Sequence, residues 1–503
     1  MGATTTFMLN DEVVETDAPR GRLVLDFVRE RRLTGTKEGC KEGDCGACAI
    51  LVGALDGGRP RYELMTACLV PLGEMAGKHV VTVEGLNLTR SRQAGRRLSV
   101  VQEEMVHHGG TQCGYCTPGF IVAMTWYVIV TEGADLSREG MREAISGNLC
   151  RCTGYNAIER AADAILATVK AKGPPEGDRL PALVEAELLP SYFASIGDRL
   201  AEMSPEMSPE MSPAPPPAAP TPPTPLFLAG GTDLYVQRGA EIPGAPVRLL
   251  TADDVAAQYP RIRGIREEGP VLSLGALTTF TEFAEHEAVR RLVPRIDRFL
   301  WLIASRPIRN RATLGGNIVN ASPIGDMTNL LLALGATLVL AEGDDRRDVA
   351  LRDLYRGYKQ LDKRPGELLV EIRLARETAH TLTNFEKVSK RKALDIASVC
   401  SGARFEREAG VLTHAAISMG GVGPTPKLLT RTGIFLQGKR LSPAVVGEAL
   451  SIAAGEATPI DDVRGSARYK RLLARQLLLA HFTELFDEID PLAHMGPELA
   501  AAQ

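Results

Sequence analysis

Eight of the nine cysteines in this 503-residue chain fall within its first 152 residues, at Cys40, Cys45, Cys48, Cys68, Cys113, Cys116, Cys150 and Cys152, and Cys400 stands apart. Residues 1–10 carry neither a basic stretch nor an apolar core, so no secretory leader is expected and the compartment is expected to be the reducing cytoplasm. Clustered cysteines that stay reduced point to metal rather than to disulfides. A region with eight such thiols has to fold as loops that gather sulfur atoms, and the rest of the region has to support those loops.

The spacings divide the eight into two quartets. Cys40-x4-Cys45-x2-Cys48 followed by Cys68 is the spacing of plant-type [2Fe-2S] proteins. Its loop, Gly39-Cys40-Lys41-Glu42-Gly43-Asp44-Cys45-Gly46-Ala47-Cys48, has glycines that let backbone N–H groups curl toward thiolate sulfurs. Zinc is the alternative, but zinc knuckles generally pair Cys-x2-Cys elements, and a four-residue first gap fits them poorly. In the second quartet, Cys113-x2-Cys116 and Cys150-x-Cys152 each precede an expected helix, whose free N–H groups favour anions. That points to a second [2Fe-2S] cluster, with a redox disulfide at Cys113/Cys116 or four structural thiols as the alternatives.

Around the first quartet the pattern predicts a small α+β unit. Thr5–Leu9 and Val13–Glu15 flank the turn Asn10-Asp11, a helix is expected over Arg22–Arg32, and strands over Ala49–Val52, Arg61–Thr66 and Val80–Val83. From Leu98 four helices are expected, the second opened by Thr117-Pro118 and the fourth running from Asn156 to Lys170. Residues 173–225 contain Glu-Met-Ser-Pro three times, from Glu202, Glu206 and Glu210, and then proline runs, which reads as an extended linker. Mixed α/β character resumes at Leu226. Helices are expected over Leu277–Arg291 and Asn329–Leu334, a strand over Thr337–Ala341, and a further shift near Thr381. Strands Phe385–Val388 and His414–Met419 and helices from Pro443 and Ala467 follow.

Composition limits the function classes. The 58 basic and 62 acidic side chains leave a net charge of -4, without the basic excess that phosphate contacts require, so no nucleic-acid partner is expected. No apolar run approaches the roughly 18 residues of a membrane span. Glycine-rich segments occur at Phe227-Leu228-Ala229-Gly230-Gly231-Thr232-Asp233-Leu234, at Thr313-Leu314-Gly315-Gly316-Asn317 and at Gly420-Gly421-Val422-Gly423. The first two suit phosphate, where a missing Cβ permits close approach, and the third reads as an ordinary turn. No Gly-x-Gly-x-x-Gly is present to indicate a Rossmann site. Gly433 to Arg440 falls short of a P-loop, lacking Ser or Thr at position 440, and reads as a turn. Cys400, in an apolar stretch, reads as a buried small hydrophobe.

The quartets with their flanks, Gln112-Cys113-Gly114-Tyr115-Cys116-Thr117-Pro118-Gly119 and Gly147-Asn148-Leu149-Cys150-Arg151-Cys152-Thr153-Gly154-Tyr155, resemble the molybdenum hydroxylase family residue by residue. The likeness covers essentially the whole chain outside 173–225. It implies a multidomain α+β chain: a β-grasp ferredoxin-like domain (1–87), a four-helix [2Fe-2S] bundle (88–172), the Pro-rich linker (173–225), a vanillyl-alcohol-oxidase-type FAD-binding domain (226–380) and an α+β C-terminal subdomain (381–490). It implies that 227–234 and 313–317 wrap FAD, that Asp326 binds its polar part, that Leu369 and Lys387 touch it, and that Ile303 faces the isoalloxazine ring. Gln112 matches a glutamine that contacts the pterin of the molybdenum cofactor. Tyr358 and the loop Lys390–Asp395 match the nicotinamide side of the flavin.

Because little chain follows the flavin module before Gln503, the molybdenum site is expected on a separate large subunit, with two small and two large subunits assembled and no catalytic residue on this chain. The expected role is to pass electrons from that site through the second cluster, the first cluster and FAD to NAD during hypoxanthine and xanthine oxidation to urate. Clusters and FAD fused in that order favour a purine substrate. A related hydroxylase of aldehydes, carbon monoxide or aromatic compounds, or a stand-alone electron carrier, is the alternative.

Overall fold

Asn10 adopts the left-handed backbone (φ 55°) that its short polar side chain tolerates, and so turns the chain between β1 (Thr5–Leu9) and β2 (Glu12–Thr16). The computed structural model describes residues 4–88, 97–172, 179–203, 225–251, 255–391 and 394–490. These fall into two compact units, Met1–Asp253 with Ser305–Arg311, and Asp254–Ala304 with Ala312–Gln503.

In the first unit, β1 and β2 join β3 (Ala49–Asp56), β4 (Arg59–Thr66) and β5 (His79–Val81) in a sheet of order β2-β1-β5-β3-β4. Only β1 and β5 pair in parallel, the mixed arrangement of a β-grasp. The two-residue period of β3 separates two cores. Ile50 and Val52 pack with Leu25 and Val28 of α1 (Val24–Glu30). Ala49 and Leu51 pack with Phe120 and Met124 of α3, in a core shared by α2 (Val100–His107), α3 (Thr117–Val130), α4 (Arg138–Ile145) and α5 (Asn156–Ala171).

The expected linker is corrected over residues 179–203. Two short helices, α6 (Arg179–Glu185) and α7 (Ile196–Met203), and the segment between them bury Leu180, Leu183, Leu189, Phe193, Ile196 and Leu200 in that helical core. Phe193 packs its ring against Tyr62 and His79, and the Tyr192 hydroxyl donates to Gly85 O at 2.9 Å. The Arg179 guanidinium donates to Val128 O at 2.6 Å and to Ile129 and Thr131 carbonyls, supplying donors that the C-terminus of α3 lacks. The apolar spacing of 180–200 is real, but the adjoining proline repeats mask it in composition. Those repeats, at 204–224, and residues 173–178 lie outside the described residues.

In the second unit a five-stranded sheet, in the spatial order Asp345–Ala350, Thr337–Glu342, Leu368–Ala375, Val271–Gly275 and Ile265–Glu268, is antiparallel throughout. A second sheet joins Thr381–Val388, Val399–Glu408, Val411–Gly420 and Lys427–Leu428. Along Val399–Glu408, Val399, Ala403 and Phe405 face a core with the helices Pro443–Glu456 and Ala467–Leu485. Helix Asp326–Ala333 packs over the same strand, where Gly402 leaves no room for a Cβ beside Asn329 O.

Two further expectations change here. Leu277–Arg291 is not one helix: Ala276 O and Thr278 O accept from Gly315 N and Leu314 N, so helix begins only at Phe280, capped by Thr279, and it breaks at His286. The segment Gly433–Arg440 is a turn only at Gln437-Gly438, since Gly433 lies inside helix Thr430–Leu436, where a Cβ would meet Ala415 O at 2.5 Å.

Phe193→Ala should destabilise the first unit by about 3–5 kcal/mol, read as a lower unfolding midpoint, whereas a true linker residue would leave it unchanged. His481, fully buried between Asn384 Nδ2 (3.0 Å) and Ser401 Oγ (2.9 Å), is pushed down to about 3 by burial. The unfolded chain protonates His481 below roughly pH 6.5 and the folded chain does not, so its stabilising effect is complete above that pH and fades as pH falls toward 3. Lowering the pH from 7 to 5 should cost the second unit about 2 kcal/mol through this residue. A His481→Gln variant should lack that part of the pH slope of the urea midpoint.

Candidate redox-cofactor site

The first quartet is assembled between β3, β4 and the loop that precedes them. The N–H groups of Cys40 and Glu42 donate to the sulfurs of Cys45 (3.4 Å) and Cys40 (3.3 Å). A side chain at Gly39 would meet the Cys45 sulfur at 2.7 Å, so glycine there lets backbone close on sulfur. The thiols lie close enough to hydrogen-bond each other. The Cys45 thiol and the Glu42 amide bring Cys40 down to about 5, and Cys45 is pushed up by the same contact. Cys68 is raised by its contact with Cys48 and by burial.

The second quartet is gathered from the start of α3 and the turn before α5. The sulfurs of Cys152 and Cys113 are 3.8 Å apart, and those of Cys150 and Cys152 are 3.9 Å apart. Cys116 is raised to about 12 by burial and by its contact with Cys150. Burial raises Cys150 too, but the Thr153 hydroxyl and backbone N–H groups outweigh it and hold the thiol at about 7. The Cys150 N–H donates to the Tyr155 hydroxyl at 2.9 Å. Cys113, Cys152, Gln112 and Tyr115 are exposed. Among the described residues no three His, Cys, Asp or Glu side chains converge to hold a lone metal ion. Two thiolate pairs bridged by sulfides need no such convergence, and the donor set fits [2Fe-2S] at both places.

The two quartets are joined directly. Leu149 N–H, one residue before Cys150, donates to Cys45 O at 3.0 Å, and Asn148 Nδ2 donates to Gly46 O at 3.1 Å. Gly46 (φ 67°) has no room for a Cβ beside Gly147 O and Asn148, and a Cβ on Gly119 would meet Gly46 O at 2.2 Å. Two hydrogen bonds therefore link a ligand loop of the first quartet to a ligand loop of the second.

The flavin expectations fall on both units. In the first, strand β6 (Leu226–Leu228) runs into Ala229–Leu234, and Gly231 takes φ 70°. Among the described residues, the N–H groups of Gly230, Gly231 and Thr232 have no partner within the chain, which fits a cradle for anionic oxygens. The Gly230 carbonyl is held by Arg311 Nη2 (2.8 Å) and Nε (3.1 Å). Arg311 also forks onto Glu74 at 2.8 and 3.3 Å, with side-chain exposures of 4% and 3%. Burial raises the Glu74 carboxyl, but the Arg311 guanidinium more than reverses this.

In the second unit, the N–H groups of Leu314, Gly315, Gly316 and Asn317 already donate to Thr278 O, Ala276 O, Thr313 Oγ1 and Thr313 O. This segment offers shape and side chains rather than free amides, which corrects the expectation that its glycine N–H groups reach phosphate. Asn317 Oδ1 accepts from both the amide and hydroxyl of Thr328, fixing the loop to helix Asp326–Ala333. Lys387 Nζ donates to Asp326 Oδ2 (2.7 Å) and to Leu302 O (2.8 Å), so Asp326, Lys387 and the backbone leading to the buried Ile303 are brought together. Burial raises the Asp326 carboxyl against the pull of Lys387 and of the neighbouring Cys400 thiol. Leu369 is buried in strand Leu368–Ala375. Cys400 is fully buried, but it accepts from Asn329 Nδ2 at 3.5 Å and so sits in a polar cluster. The loop Lys390–Asp395 is described except for residues 392–393.

Sequence reasoning passed over Arg311, Glu74 and Asn148. The run Arg309-Asn310-Arg311 immediately before a glycine segment was the available signal, since three polar side chains at a buried turn need built partners.

Four domain families match the chain in succession: a 2Fe-2S iron-sulfur cluster binding domain at residues 7–72, a [2Fe-2S] binding domain at 82–163, the FAD binding domain in molybdopterin dehydrogenase at 221–376, and the CO dehydrogenase flavoprotein C-terminal domain at 385–485. Fold and site thus define an iron–sulfur flavoprotein chain. It belongs to the molybdenum hydroxylase family, as the part that carries the iron–sulfur and FAD domains.

Similar curated proteins include xanthine dehydrogenase of Drosophila pseudoobscura pseudoobscura (28% identical over 95% of this chain and 39% of the relative) and xanthine dehydrogenase 1 of Arabidopsis thaliana (28%, 92% and 38%). Aldehyde oxidase 2 of Rattus norvegicus is 26% identical over 99% of this chain and 40% of its own. The chain thus spans about two fifths of the length of these relatives. A solved CO dehydrogenase from Oligotropha carboxidovorans is 30% identical over 50% of this chain and 86% of that chain, with a TM-score of 0.46. No helix among the described residues is long and apolar enough to cross a membrane.

Because Gly119 meets the Gly46 carbonyl, Gly119→Ala should destabilise the first unit by about 1–3 kcal/mol, measured as a lower denaturant midpoint.

Proposed function

We propose that this chain is the electron-transfer part of a xanthine dehydrogenase, serving a molybdenum site on a partner subunit and delivering electrons to NAD. The Leu149–Cys45 hydrogen bond between the quartets carries this reading, because it makes the two thiol sets one continuous path through backbone rather than two isolated metal sites. In this reading Cys40, Cys45, Cys48 and Cys68 hold one [2Fe-2S] cluster and Cys113, Cys116, Cys150 and Cys152 the other. In the first unit the free amides of Gly230 to Thr232 cradle the FAD pyrophosphate; in the second, Thr313, Asn317, Asp326 and Lys387 offer the side chains expected to contact FAD. Bound clusters exchange single electrons, and a bound flavin collects two and passes on a hydride.

The chain's own residues set the conditions for that chemistry. Amides of Cys40 and Glu42 offset thiolate charge at the first quartet, and Thr153 does so at the second. The exposed Gln112, Cys113, Tyr115 and Cys152 form the face offered to the molybdenum subunit, in a two-plus-two assembly. Xanthine dehydrogenases at 28% identity, against 26% for aldehyde oxidase 2, support a purine substrate over an aldehyde.

The purified chain should contain four irons, four acid-labile sulfides and one FAD. Zinc in place of iron would remove the cluster assignment. Cys45→Ser and Cys150→Ser should each lower the iron content from four to about two per chain and abolish one of two paramagnetic signals of the reduced protein. Without a molybdenum subunit the chain should oxidise NADH with a dye acceptor yet form no urate from xanthine; urate formation by the chain alone would overturn the division of labour.

A further inference from the structure

We infer that Arg311, held by Glu74, is a positioning residue that aims the Gly230–Gly231 peptide at the flavin pyrophosphate; this rests on the FAD reading above. A trans peptide is planar, with its C=O and N–H pointing to opposite sides. The Gly230 carbonyl accepts two N–H bonds from Arg311, which fixes its direction. The Gly231 N–H is thereby turned to the other side, where no described residue partners it. Gly231 follows at φ 70°, so the next amide, on Thr232, is also unpartnered.

Arg311 is not needed to hold its own segment in place. Arg309 already pairs with Glu143 at 3.0 Å, and Asn310 Nδ2 donates to Leu64 O at 3.0 Å. Glu74 holds the guanidinium plane with a bidentate fork and leaves the Nε edge for Gly230. Lysine offers a point charge in place of that planar fork, so it cannot hold the carboxylate and the carbonyl in the same plane. Replacing both partners together by apolar side chains of similar volume would cost little stability, so stability alone does not call for an ion pair here. The geometry points to orientation of the glycine peptide as its role.

The test compares the full chain with Arg311→Lys and Glu74→Gln variants, measuring iron content and equilibrium binding of FAD, ADP and FMN. ADP carries the pyrophosphate and FMN lacks it. Positioning predicts that Arg311→Lys keeps four irons, binds FAD and ADP about tenfold or more weakly, and binds FMN as before. Glu74→Gln should show the same pattern to a smaller extent. Unchanged FAD affinity in a variant with full iron would overturn the inference. So would equal weakening of FAD and FMN, or loss of iron from both variants, because either makes the pair a structural support. If the unaltered chain binds neither FAD nor ADP, the flavin reading itself fails, and that result is separate from any effect of the variants.

Discussion

Two opposite charges with almost no access to water are expensive to bury, and the fold of the first unit accepts that cost at Arg311 and Glu74. The geometry recovers much of it: a bidentate fork to the carboxylate and two further bonds to the Gly230 carbonyl satisfy the guanidinium. Removing either partner would leave an unpaired buried charge, a penalty of about 3–5 kcal/mol. The pair therefore sets the direction of the Gly230 carbonyl from the end of the Ser305–Arg311 excursion. That excursion also touches the cluster loop, because a Cβ on Gly43 would meet Ile308 Cδ1 at 2.5 Å.

The same economy of space governs the two cysteine quartets. Backbone approaches backbone at Gly46 and Gly119, and each contact excludes a side chain. The benefit is directional. Carbonyls and amides that would face water are used to join the ligand loops, as Cys45 O and Leu149 N show. Interiors packed at crystal-like density transmit small displacements, so a rigid junction here fixes the separation of the two thiol sets.

The cysteine quartets were legible because ligand spacing is a local property: four sulfurs around one centre need short fixed gaps, and the sequence displays them. The elements around them were legible for the same reason, from the Asn10-Asp11 turn to the Thr117-Pro118 helix start. Residues 179–203 were not, because two helices of seven and eight residues give a weak period beside a proline repeat, and only burial against Tyr62 and His79 reveals them. Arg311 was hidden for a different reason. Its partner lies 237 residues away, and no local pattern announces a pairing of that range.

The two glycine-rich segments show what composition conceals. They look alike as sequence, yet their backbones are free to do different things. At 230–232 the amides are unspent, and the Gly230 carbonyl is held from behind by Arg311. At 314–317 every amide is spent on Ala276, Thr278 or Thr313, and glycine serves packing: a Cβ on Gly315 would meet Ala276 at 2.8 Å. A missing Cβ therefore has two distinct uses, to let a ligand near the backbone or to let the chain near itself. Which one applies depends on where the neighbouring N–H groups already point, and that is settled by tertiary hydrogen bonds rather than by the glycines.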